Sequence, residues 1–186
     1  SNTGDLVTGA YRIITGADIG LLNAGAIRNS LKAGDLTYGD LMSLLPYDNL
    51  MCVAEATGAQ LLNLLVVNTA KLPRPDGQFP AVSGMHYTVD ANTHEVSNVT
   101  VLNKDNGQYE PLDLERVYTI ASTDYAICNG GFRNTLAEAR ILRQGFMSYC
   151  DAFIEYVTQH LNGHITQDYA EVDNRIIVTG IDEILK

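Results

Sequence analysis

Charge is scarce in this chain. Asp, Glu, Lys and Arg make up 18% of its 186 residues, against about 25% in an average globular domain. With hydrophobic residues at 46%, that balance excludes an intrinsically disordered chain, which needs high charge and little apolar material. Long apolar runs are also missing. The longest, residues 61–67, is broken by Asn63 and followed by Asn68, far short of the roughly 20 residues a membrane helix requires. Positive charge is scarcest of all: 12 bases face 22 acids, a net charge of −10. Such a surface repels a phosphate backbone, so a DNA or RNA polymer is not an expected partner. A small nucleotide needs only one or two local cations and stays possible.

Metal and disulfide chemistry have little to work with. Cys52, Cys128 and Cys150 are odd in number and lack metal-ligand spacing; they are expected to be buried thiols acting as small hydrophobes. The histidines are His86, His94, His160 and His164. The last two stand four apart, a spacing that chelates on a helix, but Gly163 lies between them and no third ligand is evident. The expectation is no metal site and no cofactor within this chain. Ser1-Asn2-Thr3-Gly4 is neither basic nor apolar and does not read as a signal peptide.

What is present suits one domain spanning 1–186. Residues 5–15 read as a helix, with Leu6, Ala10, Ile13 and Ile14 on one face at 3.6-residue spacing and Gly16 as its stop. Residues 18–22 read as a buried strand. Thr37 is a good N-cap for a helix through Leu45, with Leu41, Leu44 and Leu45 inward and Pro46 ending it. Residues 50–56 suit a central strand. Thr57 and Gln60 have capping-box spacing at the head of an apolar helix running to about residue 70. Three prolines within 71–80 make that stretch a loop. Residues 86–89 and 96–102 read as antiparallel strands, 103–111 as a polar turn, 116–122 as a strand, 128–132 as a tight loop, 149–161 as a helix and 176–178 as a closing strand. Helices alternate with strands, with hairpins in the middle, so the class is α+β, a layered mixed sheet with helices.

The stretch Asn23-Ala24-Gly25-Ala26-Ile27-Arg28 follows the first strand directly, where ligands sit in open sheets. Its small residues let a backbone approach a ligand closely, Arg28 supplies a planar, permanently charged fork, and Asn23 is placed to orient the loop or bind the ligand. Taken alone it reads first as a tight turn with a solvated arginine.

The following residues add to it. Gly34-Asp35-Leu36-Thr37-Tyr38 comes next, then Pro46-Tyr47-Asp48-Asn49, Glu55-Ala56-Thr57-Gly58, Ala81-Val82-Ser83-Gly84-Met85 and Tyr118-Thr119-Ile120-Ala121-Ser122-Thr123-Asp124-Tyr125. In this order and at this spacing the chain resembles the C-terminal substrate-binding domain of the 5′-nucleotidase and UDP-sugar hydrolase family. That domain carries an Asn-Gly-Gly-Gly-Ile-Arg loop, a Gly-Asp-Ile-(Ser/Thr)-Tyr turn and a Pro-Phe-Gly-Asn-like segment. Ser1-Asn2-Thr3-Gly4-Asp5-Leu6 is similar to the family's Thr-Asn-Met-Gly-Asn-Leu start. The similarity runs to about Gly131, with weaker traces to Val178.

The resemblance implies a domain that holds a nucleotide or nucleoside while an N-terminal metallophosphoesterase domain, absent from this chain, supplies two divalent metals and the hydrolysis. It implies that Arg28 contacts the nucleotide, that Asn23 opens the loop, and that Tyr47 and Tyr125 take the places of two base-stacking rings. Asn49 matches a base-side asparagine, and Gly77 a glycine of a loop bordering the pocket. No catalytic residue is expected in this chain. The family works outside the cytoplasm, which implies an extracellular, periplasmic or cell-surface location. One departure stands out. Where the family's Gly-Gly loop carries an aspartate for the ribose hydroxyls, this chain has Phe132 after Gly130-Gly131, in a loop one residue longer; Asp124 is the nearby carboxylate and the candidate substitute. Two readings therefore remain open: the nucleotide-recognition domain of a phosphohydrolase, and a non-catalytic binding or cell-surface module that kept the fold and lost the ligand. A self-sufficient enzyme built on Cys128 or a histidine finds no supporting constellation.

Overall fold

The computed structural model describes residues 2–170 and 173–181. Helix α1 (Asn2–Thr15) buries Leu6, Val7, Ala10 and Tyr11 and ends at Gly16, φ 71°. Strand β1 (Ile19–Asn23) is buried at every residue and runs into a 3₁₀ turn, Ala24–Ala26. Helix α2 (Tyr38–Leu44) is entered through a capping box between Thr37 and Asp40. Strand β2 (Leu50–Thr57) passes straight into α3 (Gly58–Thr69), capped by the Thr57–Gln60 box. Strands β3 (Pro80–Ser83), β4 (Met85–Asp90), β5 (Val96–Leu102), β6 (Tyr109–Pro111) and β7 (Val117–Thr123) follow. Then come α4 (Asp124–Cys128), β8 (Arg140–Ser148), α5 (Tyr149–Glu155) and β9 (Ile176–Thr179).

Two mixed sheets result. The first has the order β3-β1-β7-β2-β8 and the second β6-β5-β4-β9. In the first, β1 and β7 are parallel and every other pairing is antiparallel; in the second, β9 closes parallel to β4. Because successive strand residues point to opposite faces, the first sheet feeds two cores. Ile19, Leu21, Cys52, Ala54, Tyr118 and Ile120 pack with α3 and with Met85, Tyr87 and Val89 of the second sheet. Leu22, Met51 and Ala121 pack with residues of α1, with Leu44 and Leu45, and with Tyr149 and Phe153. The layers are thus helices, first sheet, then α3 with the second sheet. Helix α1 lies flush on β1: a Cβ at Gly20 would stand 2.1 Å from the Thr8 carbonyl oxygen.

Asp18 fastens the sheets together. Its carboxylate takes Lys104 Nζ at 2.7 Å and the Thr119 N–H and hydroxyl at 2.9 and 2.8 Å. Burial works against its charge, but the Lys104 and Thr119 bonds outweigh it and hold the carboxyl below its usual range.

Several sequence expectations are corrected. Ile13 is 39% exposed, because the apolar stripe of α1 rotates out of the core in its last turn. The turn expected at 103–111 contains β6, held by pairing with β5 and by Tyr109 stacking on His86 at 3.8 Å. The 128–132 loop is preceded by α4, which Thr123 caps. The 149–161 helix stays α-helical only to Glu155 and widens into a π turn over Tyr156–His160, where Leu161 N–H reaches the Tyr156 carbonyl. Strand β8 was not expected at all; it is an exposed edge strand with Gly145 at φ 74° and register shifts against β2, so no alternation marks it. Cys52 and Cys150 are buried as expected, but Cys128 is exposed, because it ends α4 at the surface. No helix among the described residues is long and apolar enough to cross a membrane.

Candidate functional site

The strand directions bring four chain ends to one edge of the first sheet. Parallel β1 and β7 both finish there, at Asn23 and Thr123. Antiparallel β3 and β2 both start there, since Asn23 pairs with Pro80 and Met51 with Thr123. The connections at that edge enclose a cavity of about 400 Å³ lined by Asn23, Gly25, Ala26, Arg28, Tyr47, Asn49, Gly77, Gln78 and Tyr125. All six residues singled out from the sequence, Asn23, Arg28, Tyr47, Asn49, Gly77 and Tyr125, are in that lining.

Each wall has a local cause. Asn23 is 4% exposed; its Nδ2 donates to the Gly77 carbonyl at 3.1 Å, and the Gly25 N–H donates to the same oxygen at 2.8 Å. A Cβ on Gly25 would stand 3.1 Å from that oxygen, a tight contact that the Gly77 loop would have to yield to slightly. Asn23 Oδ1 is buried with no partner. A buried acceptor without a donor is costly, which makes this oxygen an unexplained polar atom beside the cavity. Arg28 is anchored by its backbone N–H to the Leu44 carbonyl at the end of α2, 3.0 Å away. Its side chain is exposed. It supplies the only charge among the lining residues, a local cation on a chain of net charge −10.

Tyr47 is 46% exposed, and the segment carrying it is held from below by the fully buried Tyr149. Tyr149 accepts the Tyr47 N–H on its hydroxyl at 2.9 Å and donates its own N–H to the Asn49 carbonyl at 3.1 Å. Burial pushes the Tyr149 hydroxyl up to about 12, partly offset by the bond from Tyr47, so it stays neutral at physiological pH. Facing this segment, the first turn of α4 presents Tyr125. Asp124 Oδ1 accepts the Leu50 N–H at 3.0 Å and the Tyr125 N–H at 2.9 Å, tying α4 to the start of β2. Asp124 Oδ1 is thereby occupied in the scaffold, and Asp124 is not among the lining residues.

Gln78 is the lining residue that sequence reasoning passed over. Its Nε2 donates to the Tyr125 hydroxyl at 3.3 Å, and its Oε1 accepts the Phe132 N–H at 2.6 Å. Nothing local to Gln78 signals those partners, which lie 47 and 54 residues away. Asp76 holds the same loop through an ion pair with Arg133. Burial opposes its charge, but the Arg133 bond and the Gln78 N–H keep the carboxyl below its usual range. Phe132 itself is fully buried at φ 46°, packed in the core that includes Leu64, Leu65, Ile127 and Leu136. The residue that replaces the expected aspartate therefore faces the core, and no carboxylate lines the pocket. Among the described residues no group of three or more His, Cys, Asp or Glu is placed to hold a metal ion. Gly163 at φ 78° turns the chain between His160 and His164.

Two tyrosines, one arginine and two asparagines thus meet in one pocket at the strand ends of the first sheet. Residues 1–138 match the family model described as "5′-nucleotidase, C-terminal domain", and the chain belongs to that family. The "Trifunctional nucleotide phosphoesterase protein YfkN" of Bacillus subtilis is 29% identical over 127 residues, covering 67% of this chain and 9% of that protein. "Protein UshA" of Escherichia coli is 28% identical over 130 residues, covering 70% of this chain and 22% of that protein. A solved 5′-nucleotidase precursor from Thermus thermophilus superimposes over 96% of this chain and 35% of its own, with a TM-score of 0.83 and 28% identity. The chain thus spans less than a quarter of either curated relative.

Proposed function

We propose that this chain is the substrate-recognition domain of a 5′-nucleotidase-like phosphohydrolase, and that its pocket binds a nucleoside 5′-phosphate or UDP-sugar. The observation that carries this reading is the meeting of Arg28, Tyr47, Tyr125, Asn23, Asn49 and Gly77 around one 400 Å³ cavity. That size suits a small ligand. Tyr47 and Tyr125 supply the faces for a base, each worth about 1–3 kcal/mol of stacking and tolerant of base identity. Arg28 supplies charge-assisted bonds to a phosphate. Asn23 Oδ1 and the Asn49 amide supply the polar edge. In the full-length protein the hydrolytic step belongs to a metallophosphoesterase domain N-terminal to these residues, carrying two divalent metals that activate water. The residues described in this chain offer no comparable ligand set, so no step of hydrolysis is assigned to them. A periplasmic, extracellular or cell-surface location accompanies this reading.

Calorimetric titration of the folded chain with AMP, adenosine and UDP-glucose tests it. Saturable binding of at least one, with AMP tighter than adenosine, is expected. No binding of any of the three at millimolar ligand would overturn the reading in favour of a module that kept the fold alone. The chain is also expected to release no phosphate from AMP when Mn²⁺ or Zn²⁺ is added; metal-dependent release by clean protein would contradict the division of labour.

A further inference from the structure

The three cysteines are not equivalent, and their placement separates one pair from the third. Cys52 lies in β2 and points into the same core as Ala126 and Ile127 of α4. Cys128 ends α4, which packs against β2. Cys150 belongs to α5 and to the core on the opposite face of the sheet, so the sheet itself separates it from Cys52. Cys128 is exposed and Cys52 buried.

We propose that Cys52 and Cys128 form an exchange-competent dithiol that closes into a disulfide, stapling the end of α4 to β2 behind the pocket. Nothing in this proposal depends on what the pocket binds. The co-reactant is a small-molecule disulfide of the glutathione class. The exposed Cys128 thiolate attacks one sulfur of that disulfide; the small S–S bond breaks, a mixed disulfide forms on Cys128 and one small thiolate leaves. Cys52 then gives its proton to solvent and attacks the Cys128 sulfur, forming the internal bond and releasing the second small thiolate. Two protein thiols are oxidised and one small disulfide is reduced to two thiols. The order follows from the surroundings: burial, the adjoining Cys128 thiol and the Asp124 charge together push the Cys52 thiol up to about 12, so it is the poorer first nucleophile and acts only on a sulfur already beside it.

The bond would complete a clamp. At its first residue α4 is already tied to β2 through Asp124 and the Leu50 N–H, 3.0 Å apart; the disulfide fixes its last residue to the same strand. Tyr125 sits between the two ties, and Asn49 directly precedes β2. Oxidation therefore stiffens two walls of the pocket together, and it removes conformations from the unfolded chain.

Incubating the folded chain with oxidised glutathione tests this. The intact mass is expected to fall by two hydrogens, one linked peptide pair to contain Cys52 and Cys128, and Cys150 to remain alkylatable after denaturation. The urea midpoint is expected to rise and to return on adding reductant. Cys128→Ser changes an exposed position and is expected to keep the fold and lose the mass change. A reaction that stops at a glutathione adduct on Cys128, a crosslink that includes Cys150, a midpoint that does not move, or mass loss persisting in Cys128→Ser would each overturn the proposal.

Discussion

Replacing Gln78 with Leu removes two hydrogen bonds that act on different properties, so their effects are separable. Gln78 Oε1 is the acceptor for the N–H of Phe132 at 2.6 Å, and Phe132 is fully buried. Leaving that N–H without a partner is expected to lower unfolding free energy by about 1–3 kcal/mol, read in urea unfolding. Gln78 Nε2 holds the Tyr125 hydroxyl at 3.3 Å, which fixes the ring at the edge of the pocket. Loss of that bond is worth about 0.5–1.5 kcal/mol, or roughly a 2- to 10-fold weakening of AMP binding. Tyr125→Phe keeps the ring and loses the same bond, so it is expected to weaken AMP binding by a similar factor while leaving the Phe132 N–H satisfied and stability nearly unchanged. The double variant is expected to bind no worse than the weaker single one, because both remove one shared interaction. Calorimetry on the four proteins completes the cycle. Additive losses, or a Tyr125→Phe protein that binds as wild type while Gln78→Leu does not, would refute the role given to this contact.

Arg28→Ala is expected to weaken AMP binding by roughly 10- to 150-fold, from the loss of about 1.5–3 kcal/mol of charge-assisted bonding, and to leave adenosine binding within about twofold; equal losses for both would remove the phosphate from this residue. Since no carboxylate lines the pocket, 2′-deoxy-AMP is expected to bind within a factor of about 5 of AMP, the worth of one ordinary hydrogen bond, in the same titration. Asp18→Asn is expected to cost about 1–3 kcal/mol at neutral pH. The folded carboxyl lies below its unfolded value of 3.8, so its contribution is complete above that value and is lost as pH falls through it towards the folded one. The gap between wild type and variant in acid unfolding should therefore close below about pH 4. Tyr149→Phe deprives the Tyr47 N–H of its acceptor and is expected to speed exchange of that amide while the chain stays folded.

The part of the site that was legible in the sequence is the part written in consecutive residues. Asn23, Arg28, Tyr47, Asn49, Gly77 and Tyr125 each sit in a short motif, and their meeting follows from four strand ends falling on one edge of a sheet. The capping boxes at Thr37 and Thr57 were visible for the same reason: a cap is local. What was hidden depends on distant partners or on weak patterning. Gln78 looks like an ordinary loop amide until Tyr125 and Phe132 fold against it. Phe132 was recognisable as a departure, but its direction into the core is set by its positive φ and by α3, neither of which the loop sequence shows. Strand β8 escaped notice because an exposed edge strand with a glycine and register shifts has no reason to alternate. The exposure of Cys128 depends on where α4 ends, and that short helix was itself not anticipated.

Amide shift mapping of the chain with AMP tests the central claim most directly, because it asks where a nucleotide goes as well as whether it binds. The largest shifts are expected at Asn23, Gly25, Arg28, Asn49, Gly77 and Tyr125, saturating together with one dissociation constant and diminished throughout in Tyr47→Ala. Shifts concentrated instead around the groove between Val101 and Arg116, or none in a folded sample at millimolar AMP, would contradict it.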